Sequence, residues 1–258
     1  MKKRYKSLII VTGIFLCLIF ILYCLGFRYS LPDKTIQSAT KHRNFSKLKT
    51  LISKSSDIDV RDKNGKTALQ IACADVFDRA IAELLIQNGA NVNQVSVDGV
   101  PLITEVLCSK RYMEKEKMLD LLVKHNADIN KKDSMGNTPL ISAVGEFMDS
   151  EIIKYFMQYK PDVNILNNKG ESALFIAVVS EYISSVEALL ENKANPNFIG
   201  IASNERILLD RKGHQFITTG KSLLDIAIMS DSSSVVSSRY VVSVLKRHGA
   251  KTSEELKK

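Results

Sequence analysis

The sequence predicts an all-α solenoid of helix-turn-helix repeats with β-hairpin loops, preceded by one transmembrane helix, on three observations. A glycine in a polar turn recurs at Gly65, Gly99, Gly136 and Gly170, spaced 34, 37 and 34 residues. An Asn/Asp-x-Asn/Asp triplet recurs as DID at 57–59, NVN at 91–93, DIN at 128–130, DVN at 162–164 and NPN at 195–197, spaced 34, 37, 34 and 33. Both marks lengthen at the same copy, so they belong to one structural unit. Finally, Leu8 to Phe27 carry no charge over twenty positions. A helix of that length reaches about 30 Å, the hydrocarbon thickness of a bilayer.

Before the uncharged run comes a basic leader, residues 1–7, with Lys2, Lys3, Arg4 and Lys6. The anchor then spans 8–27 and a linker 28–34. A cleavable signal peptide is the rival reading, but its apolar stretch should be shorter and end in small side chains. Here the run ends Leu25-Gly26-Phe27-Arg28, and Tyr23 stands where a lipoprotein site before Cys24 needs a small residue. The crowding of basic residues ahead of the span predicts a single-pass protein with a cytosolic N-terminus and a periplasmic or otherwise extracytosolic repeat domain.

The remaining chain has ordinary globular composition, 45% hydrophobic and 25% charged over the full 258 residues. The net charge of +8 shrinks to +3 once the five basic residues before Asp33 are set aside (31 basic against 28 acidic), too little to predict nucleic-acid binding. Cysteines at 17, 24, 73 and 108 show neither zinc-ligand nor disulfide-framework spacing. Cys73 and Cys108 read as free thiols rather than a bridge.

Between the marks the apolar spacing is helical. Leu69, Ile71 and Ala72 begin one short helix; Ile81, Leu84, Leu85 and Ile86 face one side of a second, which Gly89 ends. Leu119, Leu121 and Leu122, then Ile153, Phe156 and Met157, then Val186, Leu189 and Leu190 repeat the second helix. One such pair cannot bury both faces alone, so neighbouring units must stack.

The segments TALQIA, TPLISA, SALFIA and SLLDIA, with the period near 33, resemble ankyrin repeats. The resemblance covers about 35–252: a capping unit at 35–60, units near 61–94, 95–131, 132–165 and 166–198, an insertion near 199–220, and a last unit from Lys221 to Ala250, followed by a polar tail at 253–258. Thr67 and Thr138 are expected to cap helices, Pro139 to occupy a first helical position, and Ala72, Ala143, Ala177 and Ala227 to allow close helix packing. The family histidine is replaced by Gln70, Ile103, Ile141, Phe175 and Asp225. Glu105 falls where a small alanine is expected, so that unit is either distorted or read one residue out of register.

No nucleophile, phosphate-loop or metalloprotease motif is present, and the reading is of a non-enzymatic protein without cofactor, metal, nucleic acid or small-molecule substrate. The resemblance implies that the acidic triplets tie successive loops together. It also implies a protein partner bound by hairpin tips, here Lys63, Asn64 and Lys66; Val97 and Asp98; Lys132, Asp133, Met135 and Asn137; and Asn167, Asn168, Lys169 and Glu171. Exposed inner-helix positions Gln70, Ile103, Ile141 and Phe175 would join them, unless the next hairpin covers their side chains. The small anchored architecture resembles bacterial envelope proteins, which suggests an immunity protein that holds a toxic secreted effector inactive. An envelope scaffold or chaperone is the alternative; another is an enzyme using Asp210, Arg211 and His214 in the insertion.

Overall fold

Polar side chains cap several of the helix starts, and apolar faces then stack the helices into two rows. The computed structural model describes residues 33–110, 114–146, 150–199, 207–209, 215–217, 221–231 and 236–258. The predicted leader, anchor and most of the linker lie outside these residues. A capping pair, α1 (Ile36–Lys41) and α2 (Phe45–Ile52), opens the stack. It is followed by α3 (Ala68–Gln70), which continues as one π turn over Ile71–Asp75, and α4 (Arg79–Gln87). Next come α5 (Leu102–Leu107) with α6 (Lys115–Lys124), α7 (Pro139–Glu146) with α8 (Ser150–Met157), and α9 (Ala173–Val179) with α10 (Ile183–Glu191). The final pair is α11 (Leu223–Asp231) and α12 (Val236–Arg247). First helices touch along the series α5, α7, α9, α11, and second helices touch as α4–α6, α8–α10 and α10–α12. One apolar cluster runs through the stack from Ile36 to Ala250.

The expected caps form. Thr67 accepts the Gln70 N–H at 3.2 Å while the Gln70 side chain accepts the Thr67 N–H at 3.1 Å, a reciprocal capping box. Thr138 caps α7 ahead of Pro139, and Thr35 and Ser172 do the same for α1 and α9. Asp225 closes a similar box on Ser222.

Each hairpin is organised by one acceptor. Asp62, Asp133 and Asn167 each accept two backbone N–H groups from two and four residues ahead, as Asp133 does from Met135 and Asn137 at 2.8 Å. Gly136, at φ +78°, makes the tight turn possible. A Cβ there would also lie 2.6 Å from the backbone nitrogen of Asn168 in the next hairpin.

The triplets build a second ladder. Within each, the first side chain accepts the third residue's N–H, and the third side chain reaches the next unit. Asn93 accepts from the Asp128 N–H at 2.7 Å and donates to the Asn126 carbonyl at 3.0 Å. Asn164 does likewise with Asn195 and Lys193, and Asn197 with Lys251 and Gly249. The acidic members serve this ladder, and among the described residues no cluster is placed to hold a metal.

Several sequence readings change. In the second unit Pro101 stands at the N-cap and the Glu105 N–H donates to its carbonyl at 3.0 Å, as Ile71 does to Thr67. Counting from the glycine turn, Glu105 therefore matches Ile71, Val106 matches Ala72, and Thr104 rather than Ile103 takes the histidine place. The unit is regular and the sequence register was one residue out. The insertion, read only as an irregular segment, adds an antiparallel ribbon to the helical stack, β1 (Ile207–Leu209) with β2 (Gln215–Ile217), Leu208 opposite Phe216. The tail at 253–258 is docked: the Ser253 N–H donates to Asp225 at 2.8 Å, and Glu255–Lys257 form a 3₁₀ turn. The expected anchor at 8–27 lies outside the described residues, among which no helix is long and apolar enough to cross a membrane.

The first unit is one position longer than the fourth, 21 residues from Leu69 to Ala90 against 20 from Leu174 to Ala194. The π turn absorbs the difference. The Asp78 N–H reaches back six residues to the Ala72 carbonyl at 2.9 Å, where its counterpart Tyr182 reaches back five to Ala177 at 2.9 Å.

Candidate protein-binding groove

The third and fourth hairpins and the helices that follow them, α7 and α9, enclose a groove of about 320 Å³ on the inner face of the stack. Its apolar lining comes from Val100, Met135, Ile141, Gly145 and Ile176, with Ser142 between them. Asp133, Asn137, Asn167, Lys169 and Glu171 form the polar wall and rim. Met135 is 57% exposed, a large apolar side chain left in water at the groove mouth.

The polar wall is one hydrogen-bonded chain. Asn137 donates to Asp133 at 3.3 Å and accepts from the Asn167 amide at 2.9 Å; the same amide donates to Glu171 at 2.9 Å. Asn167 also organises its own hairpin through the Lys169 and Glu171 N–H groups. The wall is therefore fixed before any partner arrives, which limits the ordering entropy that binding would cost.

Of the residues expected at the partner surface, Asp133, Met135, Asn137, Ile141, Asn167, Lys169 and Glu171 converge here. Lys63, Asn64, Lys66, Val97 and Asp98 belong to the two preceding hairpins and lie outside the groove lining. Lys132 and Asn168 tie hairpins together: Lys132 donates to the Leu166 carbonyl at 2.9 Å, and Asn168 bonds the Met135 and Ser134 carbonyls.

The four inner-helix residues expected to be exposed are not. Gln70 is 1% exposed, Ile103 2%, Ile141 2% and Phe175 4%. All four belong to the buried side of the first helices, and only Ile141 still lines the groove. The row that faces the groove lies one residue further on, 100° around the helix, where Ser142 and Ile176 stand. Gly145, one turn later, leaves room above them.

Glu105 occupies this same row in the second unit and is half-buried. Burial pushes its carboxyl up, with the nearby Asp75 charge adding, while the Gln70 hydrogen bond and the Lys66 and Arg61 charges oppose. Burial, with the Glu105 charge adding, pushes the Cys73 thiol up and disfavours its thiolate form. Cys73 and Cys108 are both thiols, as expected. Asp210, Arg211 and His214, which the enzyme alternative requires, lie outside the described residues.

The comparisons agree with this geometry. The family model for ankyrin repeats, in three copies, matches residues 106–199, and the single-repeat model matches 64–97. An ankyrin repeat protein of Fowlpox virus (strain NVSL) is 29% identical over 196 residues, covering 74% of this chain and 56% of that protein. Rabankyrin-5 of Homo sapiens is 29% identical over 170 residues, 61% of this chain but 14% of its own length. The chain thus spans less than two thirds of these relatives. The crystal structure of an ankyrin repeat domain from Acinetobacter baumannii AYE superposes with a TM-score of 0.63 at 25% identity, covering 84% of this chain and 98% of that one. Stacked helix pairs, capping threonines, glycine turns and the asparagine ladder therefore have one explanation, and the chain belongs to the ankyrin-repeat family.

Proposed function

We propose that the chain is a membrane-tethered protein-binding module whose groove between the third and fourth units seats its partner. Ankyrin repeats imply a protein–protein interaction module. The observation that carries the location is a pre-bonded polar wall beside an exposed Met135 and an aliphatic floor, the combination expected of an interface core with a polar rim. The uncharged run at 8–27 supports the tether, and the basic leader supports a repeat domain outside the cytosol. In that setting the partner is a toxic secreted enzyme whose active site the module covers, and the chain acts as its immunity protein. That last step rests on architectural analogy.

The test places a photo-crosslinking amino acid at position 135 of the full chain in living cells, and at exposed Glu116 on α6 as the comparison. The expected adduct forms at 135, in the membrane fraction, with a toxic secreted enzyme. Met135→Asp should weaken capture about tenfold or more, since a desolvated anchor contributes more than about 1.4 kcal/mol. Adducts at 116 alone would overturn the groove. An adduct at 135 with a harmless envelope protein would replace immunity by the scaffold reading.

A further inference from the structure

We infer that Glu105 is the anionic anchor of this binding face. Its carboxylate receives a lysine or arginine side chain from a partner segment whose nearby aliphatic residue fills the groove. The inference rests on the concave-face reading and names the chemistry of the partner.

The register correction supplies the first step, because it moves Glu105 from a buried helix contact onto the row of Ser142 and Ile176, which line the groove. Val100, five positions before Glu105 in the same unit, lines the groove as well. A partner lying across the inner face therefore passes over both.

The second step is that the carboxylate is under-satisfied. It is half-buried, yet its one hydrogen bond among the described residues is from the Gln70 amide, long at 3.3 Å. A carboxylate has about four acceptor sites. The two nearby cations are committed elsewhere: Lys66 bonds Asp75 at 2.6 Å, and Arg61 bonds the Gly65 and Val95 carbonyls at 2.6 Å each. Among the described residues Glu105 has no ion pair. Lys66 and Arg61 act on it only from a distance, so burial leaves the carboxylate short of direct partners and an incoming cation gains more here than at an exposed acid.

Spacing follows from the stack. Neighbouring helices sit about 10 Å apart and an extended chain advances about 3.3 Å per residue, so cation and aliphatic side chain should be about three to five residues apart.

The test pans a random peptide display library on the full chain in lipid nanodiscs, as wild type, Glu105→Gln and Met135→Asp. The wild type should enrich peptides with Lys or Arg about three to five residues from an aliphatic residue. Glu105→Gln should bind the best of them about tenfold more weakly while keeping the aliphatic preference. Replacing that peptide's cation with norleucine should cost the same, and the two losses should not add, the signature of a direct contact. Equal basic content in peptides selected by wild type and Glu105→Gln, or additive losses, would overturn the anchor. If Met135→Asp leaves binding of the selected peptides unchanged, the groove reading itself fails; if it abolishes binding while Glu105→Gln is silent, only the anchor fails.

Discussion

Burial acts on Asp33 and Glu105 in the same direction, and their partners decide opposite outcomes. Asp33 is pushed up by burial, but donors on Ser38, His42 and Asn44, at 2.6, 2.8 and 3.0 Å, outweigh this and hold its carboxyl below the usual range. Glu105 has one long amide bond and stays above its usual range. The stability consequences have opposite signs. The ionised Asp33 stabilises the fold above its ordinary value of 3.8, and that contribution is lost as pH falls through its lowered folded value. For Glu105 the favourable contribution is present below its ordinary value of 4.5 and is lost as pH rises through its raised folded value. Urea unfolding should therefore show Glu105→Gln more stable than wild type at pH 7, with the gain shrinking toward pH 4. Asp33→Asn should be destabilised at pH 7, and that cost should shrink as the medium is acidified. Capping threonines were legible in the sequence because a hydroxyl before an apolar run has few other uses. Placing Ile103 at the histidine position puts Glu105 one residue out of register; the spacing of 34 between Gly65 and Gly99, a backbone constraint, is the sounder guide.

At the level of elements, two bonded ladders hold neighbouring units in step, one through hairpin tips and one through the triplet asparagines. Gly136 tests the first. Gly136→Ala must adopt a positive φ and also push Asn168 away, whereas Gly89→Ala, at φ +93°, meets open space. Both should lose about 1 kcal/mol from backbone strain, with a further loss of about 1–3 kcal/mol at Gly136 alone, measured as the difference in chemical unfolding. Equal losses would mean the hairpin tips are not in firm contact. The ladders were visible in the sequence as recurring letters at a fixed period. Which inner-helix side chains line the groove was not, because adjacent helical positions differ by 100° and a short helix offers too few turns to fix its phase. Ser142, Gly145 and Ile176 were missed for that reason, although stepping one position from the buried Ile141 and Phe175 would have found Ser142 and Ile176.

For the whole molecule, stability depends on closing a stack that would otherwise end in open rungs. At the first triplet Ser55 takes the place of a preceding unit, accepting the Asp57 N–H at 3.3 Å. At the far end Asp225 holds the docked tail through Ser253, while Thr252 and Glu255 cap the last turn. Deleting 253–258 should lower stability by about 1–3 kcal/mol, the cost of stripping a part-buried carboxylate of a donor, and amide exchange should accelerate first in α11 and α12. Uniform acceleration along the chain would instead indicate a single cooperative block. The sequence disclosed the number and order of units because each repeats the same physical problem, but it gave no sign that the tail was structural, since short polar segments look alike whether docked or solvated. The π turn over 71–75 shows how such a stack tolerates change: one surplus amino acid is stored as a widened coil, leaving every rung beyond it in phase. A single-residue insertion at an inter-helix bend can therefore be taken up locally, without displacing the helix pairs stacked beyond it.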